Sequence, residues 1–182
     1  MRKSGTGFSN KLAHRCATAY REALAGRRAT LGDTHADTRE SISNLGMLLK
    51  AQGDLAGAAP LLREALAGYR ATLSDTHPDT LTSINNLGGL LHAQGDLAGA
   101  AQLFRDALAG RVATLGVKHP HTRISIDNLR GLLCDMLHAQ GDLAGTERSW
   151  LLREIQALDT STTTWIVFTW IQILLVLVQA LQ

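Results

Sequence analysis

The chain is poor in aromatic residues and in cysteine, and this scarcity excludes several classes of protein. Phe, Trp and Tyr together make up 4% of the sequence, and there are two cysteines, Cys16 and Cys134. Two isolated cysteines give neither a disulfide framework nor the paired spacing of a structural zinc site. We therefore expect a cytoplasmic protein in a reducing compartment, with no metal and no cofactor.

The chain also lacks a strong charge of either sign. Its formal net charge is +2, which gives no electrostatic argument for a nucleic-acid partner. The sequence contains no P-loop, no dinucleotide-binding glycine motif and no Ser/His/Asp pattern of a hydrolase. We therefore expect a protein that is not an enzyme and does not bind nucleic acid.

What the chain has in abundance is internal repetition. The word Gly-Asp-Leu-Ala-Gly-Ala-Ala occurs at 53–59 and again, letter for letter, at 95–101. A shorter third copy, Gly-Asp-Leu-Ala-Gly, stands at 141–145. Self-similarity at a fixed period of 20–50 residues is the signature of a solenoid or a repeat array.

Within each repeat the apolar residues keep helical spacing, as Ile42, Leu45 and Leu49 do. The pattern predicts pairs of helices, and we call the two members of a pair the A helix and the B helix. We expect a disordered lead-in at 1–9, followed by an array over 10–159 with about seven helices and no strand. The array comprises a half repeat at 10–31 and full repeats at about 37–73, 79–115 and 121–158.

Residues between the helices recur with the same period and predict helix caps. Gly53 and Gly95 suit the end of an A helix, and Asp54, Asp96 and Asp142 suit the start of the next B helix. Four histidines, His35, His77, His119 and His121, precede or open the A helices. Their spacing of one repeat favours turn residues that cap helices over a single metal site. Pro60 lies inside a B helix, where it predicts either a kink or the loosening of one backbone hydrogen bond.

With these words in place, the chain resembles a tetratricopeptide array. Asn-Leu-Gly at 44–46 and 86–88 is followed in each copy by Gly-Asp-Leu-x-x-Ala at the spacing of that family. The long period, which separates Gly53 from Gly95, and the word Thr-His-Pro-Asp at 76–79 are similar to the kinesin-light-chain type of repeat. The resemblance implies an all-α, right-handed α-solenoid of antiparallel helix pairs.

Two details of the helix pairs follow from the pattern. Gly46 against Ala58, and Gly88 against Ala100, are expected to let the A and B helices of a pair approach closely. Arg130 stands at the third glycine position, so the third pair is expected to close differently.

The resemblance also implies a function. A helices of this family line a concave groove, and asparagines there commonly hold the backbone of a bound peptide, because an amide both donates and accepts hydrogen bonds. The chain has no heptad segment, so the resemblance implies a cargo-binding scaffold or adaptor module for protein partners and not a motor-binding one. Inter-repeat packing is the alternative role for the asparagines. The candidate peptide-binding residues are Asn85, Asn86, Asn44, Asn128, Ser43, Asp127, Lys50 and His92.

The C-terminal segment 160–182 carries no charge. It predicts a hydrophobic C-terminal helix long enough to cross a bilayer. Trp165 and Trp170 suit a membrane interface, whereas Gln172 and Gln179 are costly in lipid. The sequence leaves open a membrane anchor at 165–182, an interface that includes self-association, or an incomplete gene product. The chain is thus either a free or membrane-tethered adaptor or a fragment of a larger repeat protein with a separate effector domain.

Overall fold

The computed structural model describes the backbone of residues 6–139 and the side chains of residues 15–136. This part of the chain is all helical, with no strand. Its six helices are α1 (Thr6–Leu31), α2 (Ala36–Ala51), α3 (Leu55–Thr72), α4 (Pro78–Gln94), α5 (Leu97–Leu115) and α6 (Pro120–Ala139). In the repeat, α2, α4 and α6 are A helices, and α1, α3 and α5 are B helices.

Helices α2 and α3 lie in the repeat expected at about 37–73, and α4 and α5 lie in the repeat expected at about 79–115. Helix α1 begins at Thr6, so the part of the predicted lead-in that the structure describes is helical. The second helix of the third pair and the predicted C-terminal helix at 160–182 lie outside the described residues. Helix α3 runs without a break through Pro60.

The turns between helices are built as the repeated residues predict. Gly53 and Gly95 have φ angles of +82° and +84°, and this left-handed conformation ends α2 and α4. Asp54 then accepts a hydrogen bond from the backbone N–H of Gly57 at 2.9 Å, which caps the start of α3. Asp96 caps α5 in the same way.

The histidines cap the A helices. The Nδ1 atoms of His35 and His77 each accept a hydrogen bond, at 3.2 Å, from the backbone N–H two residues later. His119 repeats this contact with the N–H of His121. The rings of His119 and His121 stack, with their centroids 5.4 Å apart. The prediction of capping residues is confirmed for all three, and the described residues contain no cluster of metal-ligating side chains.

The helices form two compact units, residues 1–110 and 111–182. In the first unit, α1 packs on α2, α2 on α3, and α3 on α4, and α2 also touches α4. The core of this unit consists of aliphatic side chains, many of them small. Ile42, Leu62, Leu81 and Leu90 are at most 1% exposed, and alanines such as Ala58 and Ala65 are completely buried. Small side chains let neighbouring helices approach closely.

The partners of the A-helix glycines differ from those predicted. A Cβ on Gly46 would lie 2.8 Å from Leu62, and a Cβ on Gly88 would lie 2.9 Å from Phe104. Ala58 and Ala100 are fully buried as expected, but the side chain seated on each glycine comes from one helical turn later in the B helix. The glycines therefore make room for a large side chain, because no other residue would leave that space.

In the second unit, a buried arginine ties the end of α5 to the start of α6. Arg111, 3% exposed, donates to the carbonyl oxygen of His121 at 2.9 Å and to the hydroxyl of Ser125 at 2.8 Å. The hydroxyl of Thr122 donates to the carbonyl of Gly116 at 2.8 Å. Burial lowers the pKa of Arg111, although an arginine remains charged at neutral pH.

Candidate peptide-binding face

The candidate binding residues of the first unit lie on two A helices that touch. The amide nitrogen of Asn86 on α4 reaches the hydroxyl of Ser43 on α2 at 3.5 Å, the outer limit of a hydrogen bond. This contact places Ser43, Lys50, Asn86 and Gly89 on one surface, which we call the A-helix face.

Lys50 is the most unusual residue of this face. Its side chain crosses from α2 to α4, and a Cβ on Gly89 would lie 2.6 Å from its Nζ atom. Gly89 therefore leaves the space that the ammonium group occupies. The side chain is half-buried, and this desolvation lowers the pKa of Lys50. No described carboxylate forms an ion pair with it, and an ammonium that is part-desolvated and uncompensated favours an incoming anion.

The other predicted residues differ in their access to solvent. Asn44 is exposed, whereas Asn86 and His92 are half-buried. Asn85 and Ser43 are each 9% exposed, so only a small part of each side chain is open to a ligand. Asn85 and His92 each interact with other residues of the protein. They are therefore better suited to holding the A-helix face in place than to contacting a ligand.

The remaining two candidates belong to the second unit. Asp127 on α6 is exposed and forms an ion pair with Arg130 at 2.6 Å. Asn128 is half-buried and also has a partner. Arg130, which replaces the glycine of the earlier repeats, therefore folds back on its own helix to reach an acid three residues before it.

Gly89 is the residue of the face that sequence reasoning missed. It occupies the repeat position that Met47 holds in the preceding A helix, and a glycine in place of that long side chain was the available signal. The consequence appears only when α2 and α4 are side by side, because the lysine that fills the space belongs to the preceding repeat.

The repeat pattern and the helix pairs identify the family. A model of the tetratricopeptide repeat family matches residues 10–71 and also residues 40–113. The chain belongs to this family. Among curated proteins, no sequence matches the tetratricopeptide chain significantly. Within the described part, no helix is both long and apolar enough to cross a membrane, and the predicted anchor at 165–182 lies beyond that part.

Solved structures show the same fold. The chain is similar to a protein from Podosopora anserina that is assigned as a kinesin light chain with nearly identical TPR-like repeats. The TM-score is 0.64 at 24% identity, with 96% of this chain and 89% of that chain covered. It is also similar to BtubC (BKLC) from P. vanneervenii, with a TM-score of 0.61, 22% identity, and coverage of 90% and 70%. These likenesses confirm the expected all-α solenoid fold.

Proposed function

We propose that this tetratricopeptide chain is a non-enzymatic scaffold that binds an extended segment of a partner protein on its A-helix face. Tetratricopeptide repeats are protein-interaction modules, and the repeats here have the spacing of the kinesin-light-chain type. The role that fits is that of an adaptor, which holds a cargo or client protein by a short peptide.

One observation carries this proposal: a half-buried ammonium group on the A-helix face has no acid to pair with among the described residues. Lys50 lies over Gly89 between two repeats, where a peptide carboxylate could form a charge-assisted hydrogen bond with it. The half-buried Asn86 lies one turn before Gly89 on α4 and can serve the backbone of the same peptide. The partner segment is therefore acidic at the position that meets Lys50.

The test is selection of a displayed random peptide library on the full chain, followed by affinity measurements with Lys50→Ala. The selected peptides should be enriched in Asp and Glu. Because a hydrogen bond to a charged group contributes roughly 1.5–3 kcal/mol, the variant should bind them about tenfold or more weakly. Its free energy of unfolding should change by less than about 1 kcal/mol, because the lysine has no described ion pair to lose.

Arg63→Ala is the matched control, since Arg63 is an exposed cation of the same unit on the B helix α3. It removes the same charge and should leave peptide affinity unchanged. Selected peptides without acidic enrichment, or an equal loss of affinity in both variants, would contradict the proposal.

A second candidate function is a membrane-tethered form of the same adaptor. The uncharged segment 160–182 favours it, because an apolar helix of this length must be covered by lipid or by protein. The full chain and a chain ending at Asp159 should then separate after carbonate washing, with only the full chain in the membrane pellet. A full chain that stays soluble and monomeric would rule out both the anchor and self-association through the tail.

A further inference from the structure

A threonine recurs in the last turn of each described B helix. Thr30, Thr72 and Thr114 stand one repeat apart, and each is followed by leucine. All three are exposed, so the exposure of Thr30 is a property of the repeat. The hydroxyls of Thr30 and Thr72 each donate to the carbonyl oxygen four residues earlier, at 2.9 Å and 3.1 Å.

The residues before the first of these threonines are different from those before the other two. Arg27 and Arg28 stand three and two residues before Thr30, in the word Arg-Arg-Ala-Thr-Leu at 27–31. Each of the other threonines has one arginine at these two positions, and in α5 that arginine is the buried Arg111. An arginine pair, a small residue, the threonine and then an apolar residue form the pattern that arginine-directed protein kinases select. Acidic side chains of their substrate cleft pair with the two arginines.

We propose that Thr30 is a phosphorylation site of a protein kinase that recognises the arginine pair before it, and that the phosphate then draws Arg27 away from α2. In the transfer, Oγ1 of Thr30 attacks the γ-phosphorus of ATP. The bond from that phosphorus to the bridging oxygen breaks, ADP leaves, and the hydroxyl proton passes to the catalytic aspartate of the kinase. The product carries a phosphate ester with a charge of about −1.5 to −2 at neutral pH. This site is separate from the A-helix face that we propose for peptides.

Thr30 is close enough to the end of α1 for a kinase to take it in an extended conformation. The helix ends at Leu31, and Gly32 follows with a φ angle of +82°. Helix ends fray, and opening a terminal turn requires little free energy. The ion pairs of Arg28 with Asp33 and Glu64 join exposed side chains, so they hold this turn weakly.

The phosphate acts on the contact between α1 and α2. Arg27 lies three residues before Thr30, so the two side chains are neighbours on the helix surface. The guanidinium of Arg27 donates to the carbonyl oxygen of Asp37 at 3.3 Å and to the hydroxyl of Ser41, which are both neutral acceptors of α2. A phosphate accepts more strongly from a guanidinium than a neutral oxygen does. Modification of Thr30 therefore weakens the attachment of α1 to α2.

The experiment is phosphorylation of the full chain in vitro. The probe is the catalytic subunit of cyclic-AMP-dependent protein kinase, an arginine-directed enzyme, with ATP and Mg²⁺, and mass spectrometry gives the initial rate at each modified residue. Thr72 and Thr114 are internal controls, because they have the same repeat position and lack the arginine pair. Thr30 should be modified about tenfold or more faster than either, because one charge-assisted hydrogen bond in the cleft is lost for each missing arginine.

Two variants test the recognition of the arginine pair. Arg28→Ala should slow modification of Thr30 about tenfold, because it removes one of the two charges that the kinase cleft binds. Arg21→Ala is the matched control, since it removes an exposed arginine of the same helix that lies outside the motif, and the rate should not change. A synthetic peptide of residues 24–34 shows how much the helix protects the threonine.

Hydrogen exchange of the phosphorylated chain tests the effect on α1. Amide hydrogens of residues 24–31 should exchange faster than in the unmodified chain, and those of α4 should not change. Modification of Thr72 or Thr114 at the rate of Thr30 would overturn the proposal, as would a peptide that is phosphorylated while the full chain is not. Unchanged exchange in α1 would overturn the release of Arg27 from α2.

Discussion

At the scale of single residues, the same arginine contact occurs in two repeats and is absent from the repeat between them. Arg27 and Arg111 stand two repeats apart, and each donates to the backbone carbonyl ten residues later and to the serine hydroxyl fourteen residues later. Tyr69 occupies the position between them. The guanidinium of Arg39 lies over its ring, 5.3 Å from the centroid, so a cation–π contact replaces the hydrogen bonds.

The replacement leaves a serine without its partner. The hydroxyl of Ser83 is buried and forms no hydrogen bond with the described residues, whereas the matching Ser125 accepts one from Arg111. Ser83→Ala should therefore be neutral or stabilising, because it removes a buried polar group that has no partner. Ser125→Ala should lower the free energy of unfolding by roughly 1–3 kcal/mol, since it removes a buried hydrogen bond to a charged group.

Urea unfolding of the two variants against the parent chain measures the difference, because both changes have the same size and both sites are at most 1% exposed. Equal destabilisation by the two would mean that the tyrosine repeat satisfies its serine as well as the arginine repeat does.

At the scale of the helices, replacing glycine should have opposite effects on stability at two positions that are adjacent in the repeat pattern. A Cβ on Gly88 would meet Phe104 at 2.9 Å, but a Cβ on Gly131 of α6 would have no described atom within 4 Å. Gly88→Ala should destabilise the chain by roughly 1–3 kcal/mol through overpacking. Gly131→Ala should stabilise it by about 0.5–1 kcal/mol, because alanine is the better helix former. Thermal unfolding that shifts both variants in the same direction would contradict the packing described for α4.

The histidine caps offer a second test at this scale. His77→Ala should lower the free energy of unfolding by about 1 kcal/mol, because the N–H of Asp79 loses its acceptor. His77→Asn should keep most of that stability, because asparagine is also a good cap. A chemical denaturation series of the parent and both variants decides this, and an asparagine variant as unstable as the alanine one would show that the ring acts by packing and not by capping.

The helices and their caps could be predicted because their sequence signals are local. Contacts between helices could not, because they depend on residues far apart in the sequence. Helix limits and caps follow from residues close in sequence, as at Gly53, Asp54 and His77. The partner of Gly46 was misjudged by one helical turn, because the offset between two helices depends on side-chain volumes and not on spacing alone. Lys50 was among the predicted binding residues, but its contact with Gly89 joins two repeats and has no local signature.

At the scale of the whole molecule, the chain is a tetratricopeptide array whose described helices present the A-helix face, where a half-buried ammonium has no described acid beside it.

Photo-crosslinking is the measurement that tests the proposed peptide site most directly. A library-selected acidic peptide carrying a benzophenone group beside its acidic residue is irradiated with the full chain, and the crosslinked residues are identified by mass spectrometry. The account predicts crosslinks on the A-helix face of α2 and α4, around Met47 and Lys50, and their loss in Lys50→Ala. Crosslinks that map to the outer surface of α3, or that persist in Lys50→Ala, would contradict it.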